Sequence, residues 1–319
     1  MAEVLVIGGG VSGLSCGVRL REAGLAVTLC TREPPHRTTS SVAAAVWYPY
    51  KAWPEELVGR WAAETYGELL GLARVEGSGV RVRAGLEVFR EKVADPWWRD
   101  TLPGFRRAGP AELPPGFADG YAFDAPVVEM PRYLDFLVRR FGALGGRMEA
   151  REVRSVPAEL QRRDVVVNCT GLGARELVGD TALRPIRGQI LRVAQVGLER
   201  FLFDEHDPRG ITYLVPRTED VVLGGTAEEG REELEPDPRV AEAILERCAA
   251  FEPALRHARV LEHRVGLRPG RAAVRLEAEA VGPGKTVVHD YGHGGAGVTL
   301  SWGCASEVVR LVQRALGGV

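Results

Sequence analysis

Val4-Leu5-Val6-Ile7-Gly8-Gly9-Gly10-Val11-Ser12-Gly13-Leu14 is the stretch whose reading decides the fold. Four apolar residues in a row suit a strand buried on both faces. A helical pattern then runs from about Val11 to Ala23, with Val11, Leu14 and Val18 on one face, and Gly24 marks its end. Ala26 to Cys30 reads as a second strand. At the strand–helix junction Gly8, Gly10 and Gly13 make a G-x-G-x-x-G pattern. The first glycine permits a tight turn, the second lets backbone approach a pyrophosphate, and the third lets helix and strand pack closely. The helix start adds unpaired N–H groups and a positive dipole end. In this setting the pattern points to a dinucleotide. An acidic residue after the second strand usually holds the ribose. Glu33 is the candidate but sits late, and Arg32 is the alternative contact, against the adenosine end.

Outward from this unit the texture changes. From about 47 to 145, turn formers such as Pro96, Pro103, Pro110, Pro114, Pro115 and Gly116 break up short apolar segments, which predicts a loop-rich region. One helix is predicted there, near Arg132 to Leu144. Asp164 to Cys169 returns to the buried-strand texture and runs into Thr170-Gly171-Leu172-Gly173. Strands are predicted at 190–194, 211–215, 221–224 and 286–290. Helices are predicted at about Val240 to Ala250 and Thr299 to Leu316, and a solvated loop over the acidic stretch Glu228 to Asp237. The fold expected is α/β. A Rossmann-like cofactor domain (1–50, 146–189 and 264–319) is interleaved with an α+β substrate domain (51–145 and 190–263) built around a mixed or antiparallel sheet.

The 319 residues carry a formal net charge of -2, so no basic field exists to hold nucleic acid or an anionic membrane. No apolar run reaches the roughly 18 residues of a membrane span. The N-terminus runs straight into a strand, which leaves no room for a signal peptide, and the C-terminus is not a peroxisomal address. Five cysteines, Cys16, Cys30, Cys169, Cys248 and Cys304, show neither a CxxC pair nor metal-ligand spacing. Reduced, mostly buried thiols in a cytoplasmic protein without a metal are expected. A homodimer is allowed and not required.

Seven segments in order carry a resemblance. They are Val6 to Ser15; Thr38-Thr39-Ser40-Ser41-Val42-Ala43-Ala44-Ala45-Val46-Trp47 with Tyr48-Pro49-Tyr50; and Val167-Asn168-Cys169-Thr170-Gly171 followed by Arg187-Gly188-Gln189. Then come Tyr213-Leu214-Val215-Pro216, Leu223-Gly224-Gly225, Val265-Gly266-Leu267-Arg268-Pro269, and Tyr291-Gly292-His293-Gly294-Gly295-Ala296-Gly297-Val298-Thr299. Over nearly its whole length the chain resembles the D-amino-acid oxidase family, which includes D-aspartate oxidase.

The resemblance implies FAD as cofactor and a small D-amino acid and O2 as partners. It implies that Arg268 and Tyr213 meet the substrate carboxylate, a task suited to a guanidinium fork and a phenol, and that the Gly295 carbonyl receives the amine. Gly294, Gly295, Ala296, Gly297, Val298 and Thr299 are expected to pass close to the flavin, with the following helix aiming its positive end at the pyrimidine. Gly8, Gly9, Gly10, Gly13 and Arg32 are expected on the dinucleotide. Thr38, Thr39 and Ser40 are expected near the FAD, and Ala44, Ala45 and Val46 at the ring. Val153 is expected at the adenine, with Thr170 and Gly171 closing over the cofactor. The implied chemistry is hydride transfer from Cα to flavin N5 with no enzymic acid or base, which leaves His293 as a packed histidine. The product imino acid hydrolyses, and O2 returns the flavin with release of H2O2.

Two departures stand out. Arg209-Gly210-Ile211-Thr212-Tyr213 leaves no room for the lid and second tyrosine of many relatives, and Tyr48 stands where many have glutamine. Tyr48 is expected to line the opened pocket. Ala227 and Phe203 supply no charge where enzymes for acidic substrates carry cations, so neutral D-amino acids are expected and D-aspartate is the alternative. A glycine or sarcosine oxidase, a non-catalytic dinucleotide-binding regulator and an NAD enzyme are the further alternatives.

Overall fold

The computed structural model describes residues 3–49 and 51–317. Tyr50, of the second matched segment, and the terminal Gly318 and Val319 lie outside the described residues. Strand β1 (Glu3–Ile7) has four consecutive buried residues, as a strand covered on both faces must. It pairs in parallel with β2 (Ala26–Thr31) on one side and β7 (Val165–Asn168) on the other. β6 (Arg147–Ala150) extends the sheet beyond β2, and β15 (Lys285–Tyr291) beyond β7. β14 (Arg275–Gly282) closes that edge as the antiparallel partner of β15. The order is thus β14-β15-β7-β1-β2-β6.

The long helices pack around this sheet. α1 (Val11–Glu22) lies against α3 (Met130–Ala143) and α7 (Gly297–Ala315), and α7 lies against α2 (Glu55–Leu72). Short α4 (Val156–Leu160) and α5 (Ala174–Leu177) flank β7 in the chain.

The second sheet has nine strands and is mixed. Its members are β3 (Val80–Phe89), β4 (Arg106–Arg107), β5 (Asp119–Val128), β8 (Arg184–Ala194), β9 (Phe201–Asp204), β10 (Thr212–Pro216), β11 (Asp220–Gly224), β12 (Glu228–Glu229) and β13 (Val260–Gly270). Only β3–β9 is parallel. α6 (Pro238–Phe251) covers one face, burying Ile244 and Cys248 against Leu191, Leu214 and Leu223. β8 runs across residue 190 and β13 across residue 264, so both strands span boundaries drawn on the sequence. The α/β class, with a Rossmann-like sheet and a second mixed sheet, is as the sequence predicts.

One expectation needs correction. The region 47–145 is less loop-rich than its prolines imply, because it contains α2 and the ten-residue β3 and β5. Gly59, Gly67 and Gly71 weaken the helical signal of α2. Its buried face, Val58, Trp61, Ala62, Thr65, Leu69 and Leu72, nonetheless keeps the helical period. The acidic stretch 228–237 is the exposed loop expected, apart from the two-residue β12, and it is tethered. The buried Arg187 guanidinium donates to the Glu228 carboxylate and to the carbonyls of Glu233 and Glu235, strapping the segment to the sheet. All five cysteines are buried and unpaired. Among the described residues no helix is long and apolar enough to cross a membrane.

Candidate active site

One cavity of about 1650 Å³ runs from the glycine turn after β1 to the face of the nine-stranded sheet. At its first end Gly8 takes φ +118°, the left-handed side of backbone space, and a Cβ there would sit 2.4 Å from the Cys169 carbonyl oxygen. A Cβ on Gly13 would lie 1.9 Å from the Gly8 oxygen, so this glycine permits the helix–strand contact and does not itself face the cavity. Gly8, Gly9 and Gly10 do face it. Gly10 brings no side-chain cap to the start of α1, and apart from the Val11 N–H, which Ser40 holds, the first turn opens on the cavity as an anion site. The Ser40 hydroxyl accepts from the Val11 N–H at 3.0 Å, tying the second matched segment to this turn.

Arg32, Glu33 and Val153 line the same end. Arg32 is exposed and lies 3.6 Å from Glu152. Thr170 and Gly171 line the cavity from the end of β7, where the Thr170 hydroxyl donates to the Asn168 side chain.

The middle of the cavity is mostly backbone. Thr38, Thr39, Ser40, Ala44, Ala45 and Val46 border it on one side, and Gly294, Gly295, Gly297, Val298 and Thr299 on the other. Ala296 is fully buried behind them. Thr299 joins the two walls, because its hydroxyl donates to the Tyr48 carbonyl and accepts from the Tyr48 N–H. Thr39 donates to the Leu267 carbonyl, fixing the first wall to β13. The N-terminus of α7 also has no side-chain cap. Just before it His293 is buried with its Nε2 3.1 Å from Asp290. Burial raises the Asp290 carboxyl, and His293, Ser12 and Cys16 more than offset this, holding it below its ordinary range. His293 is therefore engaged in the core, as a packed histidine would be.

The far end is made of side chains. Arg268 and Tyr213 both line it. Each lies against a glycine. A Cβ on Gly188 would be 2.4 Å from an Arg268 nitrogen, and one on Gly224 would be 1.9 Å from the Tyr213 ring. The Arg268 Nη1 donates to the Thr226 carbonyl at 3.0 Å. Tyr48 also lines the cavity, and its hydroxyl lies 3.0 Å from both oxygens of Glu87. Glu87 is buried, and burial pushes its carboxyl up to about 7 although the Tyr48 hydrogen bond opposes the rise. Glu205, on the turn after β9, faces the cavity too. Burial and the charge of Glu87 push its carboxyl up to about 8, against the pull of Lys51 and Arg268.

The sequence reading missed four of these groups. Gly188 and Gly224 stand in matched segments, but their role is to clear space for side chains on neighbouring strands. Glu87 and Glu205 carry no motif; strand register brings the first here and the turn after β9 the second.

The residues present fit a flavin dinucleotide: a glycine cradle and the start of α1 at one end, then a backbone-walled slot beside the start of α7, continuing to an arginine and a tyrosine. Comparison with known proteins agrees. A D-amino-acid oxidase of Rubrobacter xylanophilus is 57% identical over 317 residues, covering 99% of this chain and 97% of that protein. One of Streptomyces coelicolor is 47% identical, covering 98% and 97%. The fold is shared with a glycine oxidase of Bacillus cereus at TM-score 0.82 and 19% identity, covering 99% of this chain and 95% of that one. The family model described as DAO, FAD dependent oxidoreductase, matches residues 3–311. The chain therefore belongs to the DAO family of FAD-dependent oxidoreductases.

Proposed function

We propose that this chain is a D-amino-acid oxidase that converts D-amino acids with uncharged side chains to 2-oxo acids, ammonia and H2O2. One observation carries the reading: Arg268 and Tyr213 share the cavity that begins at the glycine cradle. FAD supplies hydride acceptance and reoxidation by O2. The protein's part is to bind and orient. Arg268 and Tyr213 take the substrate carboxylate, the first by charge-assisted hydrogen bonds and the second through its hydroxyl. The Gly295 carbonyl takes the amine, which fixes the Cα hydrogen towards the backbone-walled slot. Gly8, Gly9, Gly10 and Arg32, with Val153, hold the adenosine diphosphate half. Residues 38–46 and 294–299 hold the ring. The divided domains, 1–50, 146–189 and 264–319 against 51–145 and 190–263, separate these tasks, with Arg268 reaching across.

No group at the substrate end needs to remove a proton from Cα, and His293 is spent on Asp290. D-aspartate fits poorly, since Phe203 and Ala227 bring no charge and Glu205 would face a second carboxylate. Peroxide release from purified holoenzyme over paired D- and L-amino acids tests the reading. Turnover of D-alanine and D-valine, with little of D-aspartate or any L-isomer, is expected. A higher kcat/KM for D-aspartate, or turnover confined to glycine and sarcosine, would overturn it.

A further inference from the structure

Three acidic side chains stand at and just after the end of β9, and they have different fates. Asp204 pairs with Arg90 at 2.9 Å, and Asp207 pairs with Arg209 and Arg90. Glu205, between them, turns into the cavity and among the described residues takes part in no hydrogen bond or ion pair. An unpaired carboxyl on the wall of a binding site is unusual, because a buried charge normally needs a partner.

The register places Glu87, and with it the end of β9 that Glu205 follows, relative to the substrate anchors. Tyr213 on β10 stands opposite Phe203 on β9, and Phe203 stands opposite Glu87 on β3. Two strand spacings, roughly 9–10 Å, therefore separate Glu87 from Tyr213. Between them lie the rings of Phe203 and Tyr48, 5.4 Å apart by centroid. A substrate held by its carboxylate at Arg268 and Tyr213 would lay an aliphatic stem across these rings. Its tip would then meet Glu205, with the second carboxyl of Glu87 behind Tyr48.

We propose that Glu205 reads the head group of a cationic side chain, so that D-amino acids with a basic side chain on a three- or four-carbon stem are preferred over uncharged ones of the same length. This rests on the oxidase reading and widens its substrate range: short uncharged side chains remain substrates, and a basic head group on a long stem is taken in preference to an uncharged one. The aromatic floor favours the same ligands, since a cation gains from a nearby ring face. The groups that face Glu205 are Glu87 from β3, Lys51 from the segment before α2, and Arg268 from β13. The two cations do not neutralise it, because its carboxyl still lies well above the ordinary range. A substrate ammonium supplies the missing charge.

The test uses holoenzyme and compares kcat/KM for D-lysine and D-norleucine, which share stem length and α-amine chemistry. The ratio cancels the α-amine titration. In the native protein it should rise from about pH 6 to about pH 9 as Glu205 ionises, while the lysine side chain stays charged. Glu205→Gln should lower the ratio at pH 8 by about tenfold or more, the worth of one charge-assisted hydrogen bond, and flatten its pH dependence. A ratio that is flat with pH in the native protein, or equal in the native protein and Glu205→Gln, would overturn the proposal while D-alanine turnover leaves the oxidase reading intact. Loss of D-alanine turnover in the native holoenzyme would remove both. The pH arm needs no variant, so a folding defect in Glu205→Gln cannot mask the answer.

Discussion

At the dinucleotide end of the cavity, Gly8, Gly9 and Gly10 present backbone, and the groups that would meet a ligand come largely from one contiguous turn. At the substrate end Tyr213, Arg268, Glu205 and Tyr48 present side chains from separate strands and loops, drawn together by register. The first end depends on what is missing from its residues, namely side chains. The second depends on chemistry that each residue brings. Damage at the first should therefore remove the cofactor, and damage at the second should leave the cofactor and change turnover.

The largest effect is expected from Gly13→Val. Its Cβ would lie 1.9 Å from the Gly8 oxygen, a backbone atom that cannot move aside without opening the turn. Overpacking of this kind costs about 1–3 kcal/mol before any ligand is considered. The isolated variant should carry little FAD, read as flavin absorbance per mole of protein. A fully loaded Gly13→Val would break the contrast between the two ends.

Arg268→Met comes next. It leaves the substrate carboxylate without its charged partner, a loss of about 2–5 kcal/mol, which corresponds to roughly thirty- to several-thousand-fold in kcat/KM. Flavin content should stay normal. Near-normal kinetics would show that another group anchors the carboxylate.

Tyr213→Phe keeps the ring over Gly224 and removes one hydrogen bond to a charged group, worth about 1.5–3 kcal/mol. A ten- to hundredfold fall in kcat/KM, much alike for D-alanine, D-valine and D-phenylalanine, is expected from about that energy. Tyr48→Phe should do less and do it selectively, because the Tyr48 hydroxyl meets Glu87 and its ring forms the floor beneath the side chain. Measuring both variants over the same three substrates sharpens the assignment. A selective loss for Tyr213→Phe with a uniform, severe loss for Tyr48→Phe would mean that the two roles are exchanged.

The last effect is on stability and not on turnover. Burial raises the Glu87 carboxyl from its ordinary 4.5 to about 7. The folded state then holds a proton that the unfolded chain releases near 4.5. This stabilisation is complete below about pH 4.5 and is lost as pH rises through about 7. Glu87→Gln does not titrate, so the Tm difference between native protein and variant should narrow or reverse from pH 5 to pH 8. A constant difference would show that Glu87 is not held protonated by its surroundings.

How much of this was legible follows the same divide. The G-x-G-x-x-G turn, the β1–α1–β2 unit and β7 were read correctly because each is local, with short spacing, one period and a glycine where backbone must approach backbone. α2, β3 and β5 were not, since glycines blur the helix and charged or proline residues interrupt the strands. Tyr213 and Arg268 were named only through the segments that resemble a known family. The sequence by itself determined the cofactor cradle, because steric exclusion acts between neighbours in the chain. Tertiary structure alone placed Glu87 beside Tyr48 and turned Glu205 into the cavity. Burial raises both carboxyls, and at Glu205 the charge of Glu87, more than a hundred residues away in sequence, adds to the rise, an interaction set by distance in space.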